Sequence, residues 1–535
     1  MAAPWNAALV VPVTPGTATA DRPPRTDAEQ AVDARGRALG LPAALALAGI
    51  GGVAYGAGFP PLAATAAPWL ALAPLLIACA RLSPGRAALA GLCWTAAAAA
   101  IVCRFLPGML SGYFGMSPAW SLAASIAAVA GLHGSFIAAW AAWVAWLVRR
   151  DAANPWLIAC GWVACEVARA HGVLGSPWAL AAYSQVRVPL LIQTADLAGP
   201  YGIGFAIAAV NACLAAWLAP RLGGHRLRAT TLATAALVTG MIAYGAWRLA
   251  RTYDGGDPVR ARVVQAGAPT PDHARRAERL ARHLALSRGG GAPPDLIVWP
   301  EHALDGYLDE PTHARAAVLD LARDSGADVL LGGPHWERTA DGTRYHNSAY
   351  LVQPRDGVVA RYDKHRLVPF AEDGRGGAGA VRYAAGHGTH VLTSRVRAGV
   401  LLCLEAMLPE LARDAVHDGA DVLLNLSNDA WFGREDAAAL QLDIATLRAV
   451  ESRRYLVRAA ATGISAVIDP HGRTLARSAF GSTEALDAVV HPSHAHTLYQ
   501  RRGDAPAWLL IAAALLASLR AAIRSAPTID ERKKR

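Results

Sequence analysis

The sequence predicts a polytopic helical membrane bundle of about eight spans, with an α/β domain inserted before the last span. Three observations lead there. The chain has 535 residues, 53% of them hydrophobic, and a mean hydropathy of +0.24, too long for one compact domain and too apolar for an ordinary soluble one. Eight apolar runs approach the ~20 residues that cross a bilayer. Between the seventh and the eighth lies a long stretch of ordinary soluble composition in which short Val/Ile/Leu-rich runs alternate with helix-like segments.

Residues 1–38 are rich in Pro, Arg and Ala, with only a short apolar patch from Ala7 to Val13 and no basic segment before it, so they are expected to form a disordered tail rather than a cleavable signal. The bundle is expected over 39–252, with spans near 41–58, 61–80, 86–103, 119–148, 155–168, 201–219 and 229–250; the eighth falls at 505–524, followed by a basic tail at 525–535. Arginine placement sets the orientation. Arg22, Arg25, Arg35 and Arg37, then Arg81 and Arg86, Arg149 and Arg150, and Arg221, Arg226 and Arg228 mark cytoplasmic segments, whereas the intervening connections carry few. Both termini are then cytoplasmic and the inserted domain, 253–497, extracytoplasmic. The net charge of +10 is spent on these clusters, so no nucleic-acid partner is expected.

Within the inserted domain, buried strands are expected at Val259–Gln265, Asp295–Trp299, Ala327–Gly332, Ser348–Val352, Gly399–Leu402 and Ala420–Leu426, and helices at 312–324 and 437–452. No GxGxxG or Walker-type loop occurs, so no nucleotide cofactor is called for. Six of the seven cysteines (Cys79, Cys93, Cys103, Cys160, Cys165 and Cys213) lie in apolar segments of the first half, in no metal-binding or disulfide spacing; no metal is expected. Cys403 is the exception. It ends the apolar run Gly399–Leu402 and is followed by Glu405; Glu301 ends another strand-like run, and Lys364 a third. Strand ends are where α/β sheets place sites. Lys364 also stands out by composition, because the other two lysines are Lys533 and Lys534 in a chain that otherwise uses arginine. A compact ammonium can approach a developing oxyanion, which a planar guanidinium does poorly.

Val298-Trp-Pro-Glu301, the run Tyr362-Asp-Lys-His-Arg-Leu-Val-Pro-Phe-Ala-Glu372, Leu402-Cys-Leu-Glu405 and Ser427-Asn-Asp-Ala-Trp-Phe-Gly433 resemble, in identity and order, the motifs of the apolipoprotein N-acyltransferases, integral membrane members of the nitrilase superfamily. The resemblance implies an αββα-sandwich domain, a Glu301–Lys364–Cys403 triad, and Glu372 and Glu405 as supporting active-site carboxylates. It further implies substrate contacts in the segment containing Glu166, Arg169, Gly175, Pro177 and Trp178, and at Trp431 in an apolar turn that forms either a lipid-facing lid or a core turn. Its implied substrates are a phospholipid acyl donor and a diacylated apolipoprotein acceptor at the bilayer. Three departures bear on substrate choice: Leu404 stands where an aromatic is usual, Ala461 where an asparagine is common, and no tryptophan occurs between Gln265 and Trp299. From the scarcity of lysine we expect Lys364→Arg to behave almost as a deletion in acyl-transfer assays, since a guanidinium would displace the substrate carbonyl; near-normal rates would reduce Lys364 to an ion-pair partner.

Overall fold

The fold is that of a computed structural model describing residues 39–171, 175–267, 273–375 and 382–524. The expected tails at 1–38 and 525–535 lie outside the described residues. The first half is helical: α1 (Leu41–Ala57), α2 (Pro68–Ala71), α3 (Ala73–Cys79), α4 (Pro84–Val102), α5 (Leu106–Gly112), α6 (Pro118–Val129), α7 (Ser135–Arg149), α8 (Pro155–His171), α9 (Pro189–Ile192), α10 (Ala195–Leu218) and α11 (Leu227–Leu249). A π turn, Ala130–Gly134, joins α6 to α7. By length and composition, five helices of the described chain can cross a membrane: α4, α6 with α7, α10, α11 and the final helix Ala505–Arg524; α1 and the stretch Pro68–Cys79 are shorter apolar helices. The expected span at 61–80 is broken, because a loop precedes Pro68 and Leu72 interrupts the helix. Helix α10 begins earlier than the apolar run suggests and bends at Ala198-Gly-Pro200, where Gly199 takes φ +60 and a Cβ would meet the Tyr499 ring at 2.4 Å.

The inserted domain contains β1 (Val259–Gln265), α12 (His273–Arg288), β2 (Leu296–Val298), α13 (His313–Ser325), β3 (Asp328–Thr339), β4 (Gly342–Gln353), β5 (Gly357–Asp363), β6 (Val391–Thr393), β7 (Arg397–Leu402), α14 (Pro409–His417), β8 (Val422–Ser427), α15 (Glu435–Ser452), β9 (Tyr455–Ala460), β10 (Ala466–Ile468), β11 (Thr474–Arg477) and β12 (Glu484–Val490). The strands form two six-stranded sheets, in orders β12-β1-β2-β3-β4-β5 and β11-β10-β9-β8-β7-β6. Alternation along the strands dictates the layering. Leu296 and Val298 of β2, with Val400 and Leu402 of β7 and Leu424 and Leu426 of β8, fill the space between the sheets. Ile297 faces outward onto Val318 and Leu321 of α13, and Leu401 and Leu423 face outward onto α14 and α15. Both sheet faces are covered, which is why these strands read as continuous apolar runs.

After the domain come α16 (Leu498–Arg502) and α17 (Ala505–Arg524). The domain is bolted to the bundle by buried charge. Arg453, at the end of α15 with φ 52, is wholly buried and donates to Asp196 Oδ2 (2.8 and 3.1 Å), to Gln193 Oε1 (2.6 Å) and to the Gln193 carbonyl (3.0 Å). Asp196 also pairs with Arg248 and accepts from Tyr244 (2.8 Å). Removing one member of such a buried network strands the others' charges, typically at about 3–5 kcal/mol. Asp196→Ala should therefore lower the thermal midpoint of the protein in detergent micelles by more than any exposed Asp→Ala change, such as Asp341→Ala; equal midpoints would show that the clamp contributes nothing.

Candidate active site

Three strand ends and the loops that follow them build the site. Glu301 follows β2 after Trp299-Pro300, and the backbone there presses so closely on β3 that a Cβ at Gly332 would sit 2.6 Å from Glu301 Cα. Lys364 follows β5, its N–H donating to the Asn347 carbonyl on β4 (2.8 Å). Its ammonium is fully buried and donates to Glu301 Oε1 (3.1 Å) and Glu372 Oε1 (3.0 Å). Asn347 Nδ2 donates to the same two oxygens, at 2.8 Å each. Glu372 is fixed a second time, its Oε2 accepting from the Val368 N–H (2.8 Å). Glu301, His302 and Glu372 bring possible metal-ligating atoms within 4.8 Å of one another; the Lys364 ammonium, however, already supplies the positive charge between the two carboxylates.

Cys403 follows β7 directly, 1% exposed and with φ 50, a conformation that costs a non-glycine residue about 1–2 kcal/mol. Two polar side chains hold that turn. Asn425 Nδ2 donates to the Leu401 carbonyl (2.9 Å), and Glu405 Oε2 accepts from the Leu402 N–H (2.7 Å). Glu405 Oε2 also accepts from Tyr362 (2.9 Å), while its Oε1 accepts from the N–H groups of His365 (2.8 Å) and Arg366 (3.0 Å). Glu405 thus ties the turn carrying the thiol to the segment carrying Lys364. Among the described residues its hydrogen bonds all tie these two segments together, whereas Glu372 contacts the lysine itself.

Burial favours the neutral form of each group, and the neighbours decide the outcome. Burial raises Glu301, but Lys364, His302 and the hydrogen bonds from Asn347 and Lys364 outweigh it and leave the carboxyl below its usual value. Burial works against the Lys364 charge too, yet Glu301 and Glu372 raise the ammonium well above the ordinary lysine range. The Cys403 thiol is pushed up to about 12, by burial first and the Glu301 charge next, with Lys364 opposing. The resting site is therefore an ionised carboxylate, an ammonium and a protonated thiol.

The membrane-half residues singled out from sequence lie in the helical bundle, at the end of α8 and in the loop that follows it. Arg169, at the end of α8, is buried rather than solvated: it meets His133 Nδ1 (2.7 Å) and donates to the carbonyls of Trp178 (2.9 Å) and Ala179 (3.2 Å). Glu166 accepts from the Ala181 N–H (2.7 Å). Both side chains are spent on holding the loop that presents Trp178. Gly175 is exposed at the start of that loop and Pro177 is buried in it. Trp178 packs on Phe105 and Phe432, and Trp431 on Phe432 and Tyr113, with ring centroids 5.3–5.9 Å apart. The 430–432 turn is thus seated against the bundle in an aromatic cluster. Asn347 was missed from sequence: no motif marks it, and only the pairing of β4 with β3 and β5 brings it between the two glutamates.

This four-layer sandwich, with a cysteine, a lysine and a glutamate at neighbouring strand ends and apolar helices beside it, defines a membrane-associated enzyme of the carbon-nitrogen hydrolase class. Residues 260–497 match the Carbon-nitrogen hydrolase family, and residues 51–213 match the Apolipoprotein N-acyltransferase N-terminal domain. An apolipoprotein N-acyltransferase of Geobacter metallireducens is 34% identical over 499 residues, covering 88% of this chain and 94% of the relative. The enzyme of that name from Caulobacter vibrioides is 30% identical, covering 79% and 87%. Among solved structures, Saccharomyces cerevisiae Nit3, a nitrilase-superfamily member, is 19% identical over 48% of this chain and 97% of its own, with a TM-score of 0.37. The chain belongs to the apolipoprotein N-acyltransferase family, and it is an acyltransferase.

With the thiol so far above the ordinary cysteine range, alkylation of Cys403 by iodoacetamide, followed by mass spectrometry of its peptide, should accelerate about tenfold per pH unit from about pH 7 to 10. A plateau below about pH 8 would mean that the free enzyme stores a thiolate.

Proposed function

We propose that the protein moves an acyl chain from a membrane phospholipid, through a thioester on Cys403, to the free α-amine of a diacylglyceryl-cysteine at the N-terminus of an apolipoprotein. The chain sits in the bacterial inner membrane with eight spans and both termini cytoplasmic, so that the catalytic domain meets lipoproteins on the far side. The observation that carries the reading is the buried Glu301–Lys364–Glu372 cluster beside a protonated cysteine. Two features of the bundle support the lipid part. An apolar groove of about 470 Å³ between α4 and α6 ends at Arg104 and Pro107, next to Phe105 in the aromatic cluster. Lifting acyl chains from a bilayer costs about 0.8 kcal/mol per CH₂, so the site has to come to the lipid.

The steps follow from the charges. Glu301 takes the Cys403 proton as the sulfur attacks the ester carbonyl carbon, because only the thiolate is a strong nucleophile. Lys364, with the N–H of Leu404, stabilises the oxyanion; one such donor is worth roughly 3 kcal/mol in the barrier. Collapse breaks the ester C–O bond, Glu301 returns the proton to the departing alkoxide, and lysophospholipid leaves. The lipoprotein amine then attacks the thioester, Glu301 takes its proton, and the sulfur departs and is reprotonated. Glu372 and Asn347 orient Lys364, Glu405 and Asn425 hold the thiol turn, and Trp178 and Trp431 give the acyl chains an apolar wall. Arg169 positions the Trp178 loop.

Incubation with phospholipid alone should load one acyl group on Cys403, release one equivalent of lysophospholipid and stop, since a site open to water would waste the thioester. A diacylglyceryl-cysteine peptide with a free amine should restart release, and the same peptide N-acetylated should not. Continuous amine-independent liberation of fatty acid would replace this reading by a membrane-tethered hydrolase, and failure to load at all by a non-catalytic module.

A further inference from the structure

On the surface just beyond Lys364, three histidines line a recess of about 420 Å³ that the acyl-transfer chemistry does not use: His365, His387 and His390, with Arg366 and Leu411 also on its lining. The rings of His365 and His390 approach to 4.4 Å between centroids at 69°, and the Nε2 atoms of both are buried without a hydrogen-bond partner among the described residues. A buried imidazole nitrogen without a partner wastes about a hydrogen bond's worth of desolvation unless something fills the place. His390 is also prepared for one particular use. Its side chain is 9% exposed, and its Nδ1 lies 3.2 Å from Asp418 Oδ2, which also accepts from the His390 N–H (2.9 Å). A carboxylate on Nδ1 fixes the tautomer in which Nδ1 carries the proton and Nε2 the lone pair, as in metal-ligating histidines backed by a carboxylate.

We propose that His365, His387 and His390 form a binding site for a divalent transition metal of the zinc class, with water as the fourth ligand. Two ligands are already side by side. Nitrogens bound to one tetrahedral ion at about 2.0–2.1 Å lie roughly 3.4 Å apart, a spacing that rings 4.4 Å apart between centroids reach with little movement. The third, His387, is exposed on the same recess between Gly386 and Gly388, where Gly388 takes φ +106, and ligation requires its ring to turn toward the other two. The Gly386 N–H already donates to the Lys364 carbonyl (2.8 Å). A bound ion would clip the 386–390 stretch to the segment that carries Lys364, outside the acyl-transfer pocket.

The test is titration of tag-free, full-length protein in detergent micelles with Co²⁺ alone, read by visible absorption, and then displacement by Zn²⁺. The expected result is one tetrahedral Co²⁺ per chain with no thiolate-to-metal band, retained in Cys403→Ala. It should be lost in the His387→Ala/His390→Ala double variant and weakened at least about tenfold in Asp418→Asn, which removes only the backing carboxylate. Zn²⁺ should raise the thermal midpoint of the wild type and not that of the double variant. If the double variant unfolds without metal, His387→Ala alone, at an exposed position, takes its place. Absence of stoichiometric binding, equal binding by the histidine variants, or loss of the ion in Cys403→Ala would each overturn the proposal, the last by moving the metal to the catalytic pocket.

Discussion

One buried ammonium holds the catalytic domain's chemistry together. Glu301 and Glu372 reach the same point from different loops, and the Lys364 ammonium between them donates to both. Buried at zero exposure, that ammonium keeps its charge because these partners raise it against the desolvation that would neutralise it. The dependence extends outward, because Lys364 and Glu301 are 63 residues apart and meet only if β2, β3, β4 and β5 pair in register. Asn347 sits at the middle of that pairing. Its carbonyl fixes the lysine backbone and its amide spans both glutamates, so the hydrogen-bonding of one strand residue carries the sheet's geometry into the site.

The thiol is arranged on an opposite principle. Burial and the Glu301 charge push the thiol up and Lys364 only partly opposes them, so the resting group is a thiol rather than a thiolate. A strained turn presents the sulfur, and the two side chains that hold the strain, Asn425 and Glu405, do so through backbone groups. The bundle contributes a wall. Phe105, Trp178 and Tyr113 from the helical half meet Trp431 and Phe432 from the domain, while Arg169 and Glu166 hydrogen-bond to backbone groups of the loop that carries Trp178.

What could be read from the chain beforehand was whatever leaves a local pattern. Strands covered on both faces gave unbroken apolar runs, so β1, β2, β3, the second half of β4, β7 and β8 were visible. Strand β9 was hidden by Arg458 in its middle, a residue that is wholly buried and fully engaged with Asp429 (2.8 and 2.9 Å), Gln441 (2.8 Å) and Asn425. Strands β11 and β12 are half exposed and carry no clear alternation. Cys403 and Lys364 were legible through scarcity, one being the lone cysteine and the other the lone internal lysine of the inserted domain. Asn347 and the division of labour between Glu372 and Glu405 were not, because each depends on which backbone groups lie across a sheet or a loop, and composition holds no record of that. The burial of Arg169 was not legible for a related reason: it depends on the returning loop, which aims two carbonyls at the guanidinium.

The strand order also constrains how the molecule is made. β1 pairs along its whole length with β12, Val259 against Val490, so the first strand of the domain to leave the ribosome finds one of its two neighbours only after roughly 230 further residues have been synthesised. At the slow pace of translation, a sticky edge of the domain waits for seconds in an unfinished state, exposed to chaperones, proteases and its own kind. Closing the sheet on its last strand brings the two chain ends of the domain together, Val259 opposite Val490. The same closure makes completion of the chain, rather than formation of any early element, the event that commits this half of the protein to its final shape.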